Sequence, residues 1–348
     1  MFKILNNITH RRPVNSSTEV RITYKCTQRC RQCVIPFKNT HTMTVDEFAH
    51  VMENLRSYGA YVGFISGGET TVVDGLPEML LEAHKTFRFA TTLVTGLYNK
   101  WENIEPAARI CMENGMHIQT SFDGLGEIGD HLRGCKDFEK VISENMRRIS
   151  ELRRDIQKKN KKKSVLYANT VMSDINLDQV PDIIAHVKSL GWKSTVGMYH
   201  TLTFSTRYND DMVLRPGERL NKTMAFLKQN PDVMNLDAWI DGVIPYVEDP
   251  NLNWCPFVKA PYLATRTTIM ENGDVHLCKG NPIGNVFRQS LGKIFESYEY
   301  KQRLDEYSRC EGCWTTCYTQ RYLSVRPKSI SEAVSNIKKI KRNTTVEL

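Results

Sequence analysis

Cys26, Cys30 and Cys33 stand in the run Tyr-Lys-Cys-Thr-Gln-Arg-Cys-Arg-Gln-Cys, directly after a β-branched stretch at 20–24. CxxxCxxC spacing supplies three thiol ligands and no fourth. A structural zinc site closes all four positions, whereas three thiolates on an iron–sulfur cluster leave one iron open for chemistry. The zinc reading needs a further ligand, and His41 is a candidate. Five more cysteines gather toward the other end, Cys255, Cys278, Cys310, Cys313 and Cys317, with Cys111 and Cys135 alone between the groups. A disulfide framework does not need that clustering; two metal centres do.

The elements that must position these residues follow from periodicity and caps. Strands are predicted over 20–24, 61–65, 90–95, 117–122, 165–172 and 194–198, alternating with helices over 44–58, 76–87, 105–114, 138–157 and 177–190. Thr44 and Glu47 make a capping box, and Gly59, Gly115 and Gly191 stop helices. Such alternation predicts a parallel sheet, either doubly wound or part of a (β/α) barrel, with the active site at the C-terminal strand ends. The cysteine loop, Ser66-Gly67-Gly68-Glu69 and Asp123-Gly-Leu-Gly126 all fall at such ends. After residue 200 comes a connector with one helix beginning near Pro216, then a hairpin around Asn272-Gly273 that delivers Cys278. A helix over 296–307 precedes Cys310-x-x-Cys313.

Composition sets the limits. With 348 residues, 41% apolar and 25% charged, the chain reads as a soluble globular protein of one or two domains. No apolar run is long enough to span a bilayer, and the N-terminus lacks a signal peptide, so a cytoplasmic location is expected. The formal charge of +8 is local: residues 140–163 carry +7 and residues 338–342 carry +4, leaving the rest at about −3. That distribution argues against a broad nucleic-acid footprint. The basic stretch reads as a solvated helix face and linker; an RNA-contacting protein using the run at 158–163 is the reading from another class.

The motifs resemble those of the radical S-adenosylmethionine (radical SAM, AdoMet) enzymes over about residues 18–200. The match rests on CxxxCxxC after the first strand, Gly-Gly-Glu after the second, and Ser-Phe-Asp-Gly after the fourth with Arg133-Gly134 behind it. The resemblance implies a partial (β/α)6 TIM-like barrel holding a 4Fe–4S cluster on Cys26, Cys30 and Cys33, with AdoMet chelating the open iron. It also implies one-electron cleavage of AdoMet to a 5′-deoxyadenosyl radical that abstracts hydrogen from substrate. Gly67 and Gly68 would let the backbone approach AdoMet, and Glu69 would accept from its ammonium. Thr95, Ser121 and Asp123 would lie near the ribose or carboxylate, and Arg133 would pair with the carboxylate. Two departures stand out: Gln32 replaces the aromatic residue usual before the third cysteine, and Thr70 replaces the usual proline after Glu69.

The C-terminal cysteines resemble the auxiliary-cluster domain of the SPASM and Twitch subfamilies. That resemblance implies a second 4Fe–4S cluster, most simply on Cys255, Cys278, Cys310 and Cys313, with Cys317 an alternative ligand or free. The expected fold is therefore α/β: a barrel at 15–200, a connector at 201–251, a small α+β auxiliary domain at 252–325 and a basic tail at 326–348. The expected activity is oxidation or rearrangement of a small polar metabolite such as a sugar, aminocyclitol or nucleotide derivative, with flavodoxin or ferredoxin as reductant. Maturation of a ribosomal peptide, or its epimerisation, is the alternative. It ranks second because only about twenty residues precede the first strand, too few for a leader-recognition domain. Cys135 could donate a hydrogen atom, as in epimerase-type members; Cys111 reads as a core residue, and His84, His200 and Trp314 as ordinary packing.

Overall fold

The computed structural model describes residues 13–344 apart from 38–40, 160–161, 202–204, 251–256, 258–264, 311 and 327. Cys255 and part of the basic run at 158–163 lie outside the described residues. Six parallel strands, β1 (Asn15–Arg21), β2 (Val62–Ser66), β3 (Ala90–Val94), β4 (His117–Ser121), β5 (Leu166–Met172) and β6 (Lys193–Met198), pair in sequence order. An order without a reversal has no doubly wound switch point. Right-handed crossovers then place every connecting helix on the same face, as in a (β/α) barrel.

Those helices are α1 (Val45–Tyr58), α2 (Leu76–Thr86), α3 (Trp101–Asn114), α5 (Phe138–Lys159) and α6 (Val180–Ser189), with a short α4 (Gly126–Arg133) before α5. β5 shows the division of faces. Leu166, Ala168, Thr170 and Met172 are buried against helices, while Tyr167, Asn169 and Val171 are half-buried on the other face. The helix-side residues Val20, Ile22, Ile65, Leu93 and Ile118 join Phe48, Leu55, Leu80, Met112 and Ile142 in one buried cluster. Burial of each such side chain contributes about 1.5–3 kcal/mol. The opposite, half-buried face lines the lumen of the partial barrel.

β1 begins earlier than its β-branched run predicts. Asn15, Ser17 and Thr18 are buried polar residues because β1 is a central strand. β7 (Thr265–Ile269) pairs with it in parallel, and β8 (Asp274–His276) and β9 (Gly284–Asn285) follow antiparallel. Asn15 donates to Thr18 at 2.8 Å and accepts from Thr267 at 3.2 Å, so these three members of the polar seam bond one another. The auxiliary hairpin thus continues the barrel sheet, covering what would otherwise be an open edge.

The region expected to be a connector is folded. Helices α7 (Glu218–Gln229), α8 (Asp237–Asp241) and α9 (Val243–Glu248) build a second apolar cluster around Trp239 and Trp314. Then come α10 (Leu291–Glu296), α11 (Tyr298–Ser308), α12 (Thr319–Val325) and α13 (Ile330–Thr344). The expected basic tail is largely α13, whose buried Lys339 meets Asp237 at 2.7 Å. Among the described residues no helix is long and apolar enough to cross a membrane.

Candidate active site

The segment leaving β1 is held on three sides. Ile22 N–H donates to Ser66 O at 2.9 Å, Gly68 N–H to Thr23 O at 2.8 Å and Glu69 N–H to Lys25 O at 2.8 Å. The second side is α4, where Arg29 N–H donates to Arg133 O at 3.2 Å and Arg31 N–H to Leu132 O at 3.0 Å. These carbonyls belong to the last turn of α4, whose orphan acceptors need partners. Gly134 caps that helix at φ 58°, and a Cβ there would lie 2.3 Å from Arg29 O. The third side comes from the segment after residue 204. Val34 N–H donates to Ser205 O at 3.1 Å, Arg207 N–H to Gln32 O at 2.9 Å, and the Asn209 amide to Arg31 O at 3.0 Å.

Within this frame Cys26, Cys30 and Cys33 lie in electrostatic reach of one another, and Arg133 faces Cys26 and Cys30. Backbone N–H groups point at two of the sulfurs: Gln28 N–H at Cys26 Sγ, 3.5 Å, and Ile35 N–H at Cys33 Sγ, 3.4 Å. Burial pushes the Cys30 thiol up to about 12, with Arg133 opposing. Burial also raises Cys26, against the Gln28 amide. Amides donated to sulfur, around one buried and two half-buried cysteines, are the surroundings of cluster thiolates, and ligation removes the thiol protons. His41 is engaged elsewhere, meeting Glu47 at 2.7 Å in the first turn of α1. Among the described residues no three His, Cys, Asp or Glu side chains converge on a single-ion site. The donor set fits a cluster with spread ligands better than one zinc ion.

The Gly-Gly-Glu turn has a tighter role than expected. A Cβ on Gly68 would lie 2.2 Å from Lys25 O, and one on Gly67 2.8 Å from Thr23 O. The close approach that these glycines permit is to the chain's own backbone. Buried Glu69 is fixed on every side: Oε1 accepts from Thr71 N–H at 3.0 Å, Thr71 Oγ1 at 2.8 Å and Thr95 Oγ1 at 2.5 Å, and Oε2 accepts from Gly96 N–H at 2.7 Å. Thr95 therefore serves Glu69, and Oε2 is the oxygen with room for another donor.

Asp123 and Arg133 also face each other rather than open space. Arg133 Nη1 donates to Asp123 Oδ2 at 2.9 Å and Nη2 to Gln28 Oε1 at 2.8 Å; Asp123 Oδ1 accepts from Val171 N–H at 2.8 Å. Burial works against the guanidinium, but Cys30 and Asp123 beside it more than offset this and hold it charged. Gln32 Nε2 reaches Asp123 Oδ2 at 3.4 Å, so the residue replacing the usual aromatic ties the cysteine loop to this pair. Two buried atoms here have no partner among the described residues, Gln32 Oε1 and Arg133 Nε. They are one acceptor and one donor that fit a polar ligand such as AdoMet. Ser121 is half-buried on the lumen face of β4. Cys135 accepts from Gln28 Nε2 at 3.7 Å and packs against the main core.

Sequence reasoning missed Gln28, Thr71, Arg207 and Asn209. Gln28 had one available signal, a buried-type polar residue between two cysteines; the others act through long-range contacts that carry no local pattern.

Cys278, Cys310 and Cys313 border a second pocket with Phe257, Lys279, Tyr307 and Gly312. Tyr307 Oη accepts from Cys278 N–H at 3.0 Å and donates to Lys279 O at 2.9 Å, and Gly312 takes φ 107° between the two later cysteines. Burial raises the Cys313 thiol. Cys317 does not border this pocket; it is exposed and lies in electrostatic reach of Arg266, Arg321 and Tyr167.

Residues 261–318 match the SPASM family, an iron–sulfur cluster-binding domain. A stretch of 170 residues, 47% of the chain, is 27% identical to PqqA peptide cyclase of Bradyrhizobium diazoefficiens, over 41% of that protein. The chain spans about two fifths of the curated relatives it matches. The fold is similar to that of Streptococcus suis SuiB bound to precursor peptide SuiA, with TM-score 0.62 at 13% identity over 85% of this chain and 68% of that one. It is also similar to that of anSMEcpe with bound AdoMet and Cp18Cys peptide, with TM-score 0.56 at 15% identity over 94% and 95%.

Proposed function

We propose that this chain, a radical AdoMet enzyme with a C-terminal SPASM domain, modifies a peptide. The reading favoured from sequence alone, a small polar metabolite, gives way. The observation that carries the change is the alignment with a relative named as a peptide cyclase. Two similar folds solved with peptides support it.

In this reading Cys26, Cys30 and Cys33 hold the catalytic 4Fe–4S cluster. When bound, cluster and AdoMet supply the one-electron chemistry that removes hydrogen from a substrate carbon. The chain's own residues bind and orient. Glu69, immobilised by Thr71, Thr95 and Gly96, offers Oε2 to the ammonium of AdoMet at no reorganisation cost. Gln32 Oε1 and Arg133 Nε, buried without a partner among the described residues, are the acceptor and donor left for a polar ligand, and Ser121 is half-buried on β4. Arg133 itself braces the loop through Asp123 and Gln28, so its expected pairing with the AdoMet carboxylate falls to Nε alone. The segment 205–209 braces the loop through hydrogen bonds to Arg31, Gln32 and Val34. Cys278, Cys310 and Cys313, with Cys255, hold the auxiliary cluster, and a flavodoxin- or ferredoxin-type donor supplies the electron.

The test is anaerobic incubation of reconstituted protein with dithionite, AdoMet and synthetic peptides encoded by short reading frames adjoining the gene. A peptide-dependent rise in 5′-deoxyadenosine with a change in peptide mass is expected, and Cys26→Ala abolishes both. A rise with a panel of sugars, aminocyclitols and nucleotides, and none with peptides, would restore the metabolite reading.

A further inference from the structure

Among the described residues the lumen face brings Arg21, Arg266 and Arg321 around Glu19 and Phe64. Arg21 Nε meets Glu19 Oε1 at 2.9 Å and Arg266 Nη2 meets Glu19 Oε2 at 2.8 Å, so both are tied to the same acid. The third, Arg321 of α12, has no hydrogen-bond or carboxylate partner for its guanidinium among the described residues. Its Cζ lies 5.6 Å over the ring of Phe64 on β2, a ring already shared by Arg266 at 5.2 Å. Two cations on one aromatic ring repel each other, and a cation in a recessed chamber is costly until an anion reaches it. Burial and Arg266 together hold Arg321 down to about 10, the direction expected of a cation without a counter-charge.

The chamber keeps accessible surface, although Arg266 itself is buried. Glu19, Phe64, Gln119, Tyr167, Asn169 and Thr195 on this face are all half-buried rather than sealed. The Cys317 thiol, exposed and outside the auxiliary pocket, lies in electrostatic reach of both Arg266 and Arg321. Phe64 precedes Ser66 by two residues on the same face of β2, which sets the cation about 7 Å below the strand ends where the cysteine loop begins.

We propose that Arg321, with Arg266 and Phe64, forms a carboxylate-binding subsite in the barrel lumen that receives an acidic side chain of the substrate. The depth places that acidic residue within about two positions of the modified residue, each extended residue spanning about 3.3 Å. The peptide context rests on the function proposed above; the anion site does not.

The test uses Cys317 as a reporter in the cluster-loaded full-length protein. Its alkylation by anionic iodoacetate and by neutral iodoacetamide is followed by mass spectrometry, with N-acetylcysteine amide as the solution reference. The expected iodoacetate-to-iodoacetamide rate ratio at Cys317 exceeds the reference about tenfold, the scale of one charge-assisted hydrogen bond, and the iodoacetate reaction saturates. Arg321→Gln returns the ratio to the reference, Arg321→Lys keeps part of it, and unchanged cluster absorbance in both confirms that they fold. N-acetylglutamate amide protects, whereas N-acetylglutamine amide does not. A reference-level ratio in the wild type, a ratio unchanged in Arg321→Gln, equal protection by both amides, or a Cys317 that resists both reagents because it ligates iron would each overturn the proposal. Labelling that succeeds while no peptide stimulates 5′-deoxyadenosine would instead count against the peptide reading.

Discussion

Gly68→Ala separates two explanations of the Gly-Gly-Glu turn. If the glycine serves only the approach of AdoMet, the variant should load iron normally and lose AdoMet affinity. The structure predicts an earlier failure. The new Cβ would stand 2.2 Å from Lys25 O and 2.7 Å from Lys25 C, against about 3.5 Å for relaxed contact between non-bonded atoms, so the segments must separate by more than 1 Å. No rotamer change relieves a clash with backbone. Separation breaks the bonds from Gly68 N–H to Thr23 O and from Glu69 N–H to Lys25 O, worth about 0.5–1.5 kcal/mol each, on top of about 1–3 kcal/mol for overpacking. A loss of about 2–6 kcal/mol is expected, or several degrees in Tm at about 2 °C per kcal/mol for a chain of this size. The displaced segment carries Cys26, so iron per chain should fall to the share of the auxiliary site. Iron and sulfide analysis after anaerobic reconstitution, with thermal unfolding, reads both effects. Wild-type iron and Tm with weakened AdoMet binding would refute the reasoning and restore the AdoMet explanation.

Glu19 gives a pH dependence. Burial raises its carboxyl, but Arg21, Arg266 and Ser66 hold it from the ordinary 4.5 down to about 2. The stability it contributes is present in full above about 4.5 and is lost as pH falls toward 2, on the order of 3 kcal/mol. Glu19→Gln should flatten Tm between those limits, and an unchanged acid profile would count against it. Gln28→Ala leaves Arg133 Nη2 buried without its acceptor and should cost about 1–3 kcal/mol together with catalytic-cluster loading, read by Tm and iron content. Cys278→Ala should remove the auxiliary cluster yet spare some AdoMet cleavage. Cys317→Ala should keep full iron; loss of half would place Cys317 among the ligands.

The strands and most helices were legible because their signals are local. The capping box at Thr44 and Glu47 forms as written, with Thr44 Oγ1 accepting from Glu47 N–H at 3.2 Å and Gly59 closing the helix at φ 105°. Helix α4 was not legible, because Gly126 and Gly129 lower its intrinsic propensity. Packing explains Gly129, where a Cβ would stand 2.6 Å from Gly124 O and 2.8 Å from Phe138. The α3 helix begins at Trp101, four residues before the expected 105, and holds Pro106 inside it. The seam between Thr18 and Thr267 joins residues 249 apart, and no periodicity anticipates such a pair. The site was half legible. The cysteine spacing and the family resemblance singled out Cys26, Cys30, Cys33, Glu69, Asp123 and Arg133, which the fold brings near one another, but whether each polar atom faces a ligand or another residue depends on contacts made only in three dimensions.

That seam bears on how the two cysteine sites relate. β1 runs directly into Cys26, while β7 leads through its hairpin to Cys278, and the two strands are paired along most of their length. Glu19 and Arg266 bridge them on the lumen face at 2.8 Å, while Thr18 and Thr267 do so on the other at 3.2 Å. A connection through paired strands is stiffer than one through a linker, since sliding one strand past the other would break the ladder and strand a buried charge. The distance between the two cysteine sites is therefore set by the sheet rather than by docking of a separate domain. A lesion in the seam should disturb both sites together, whereas the lumen cation at Arg321, anchored from α12, can be altered without moving either.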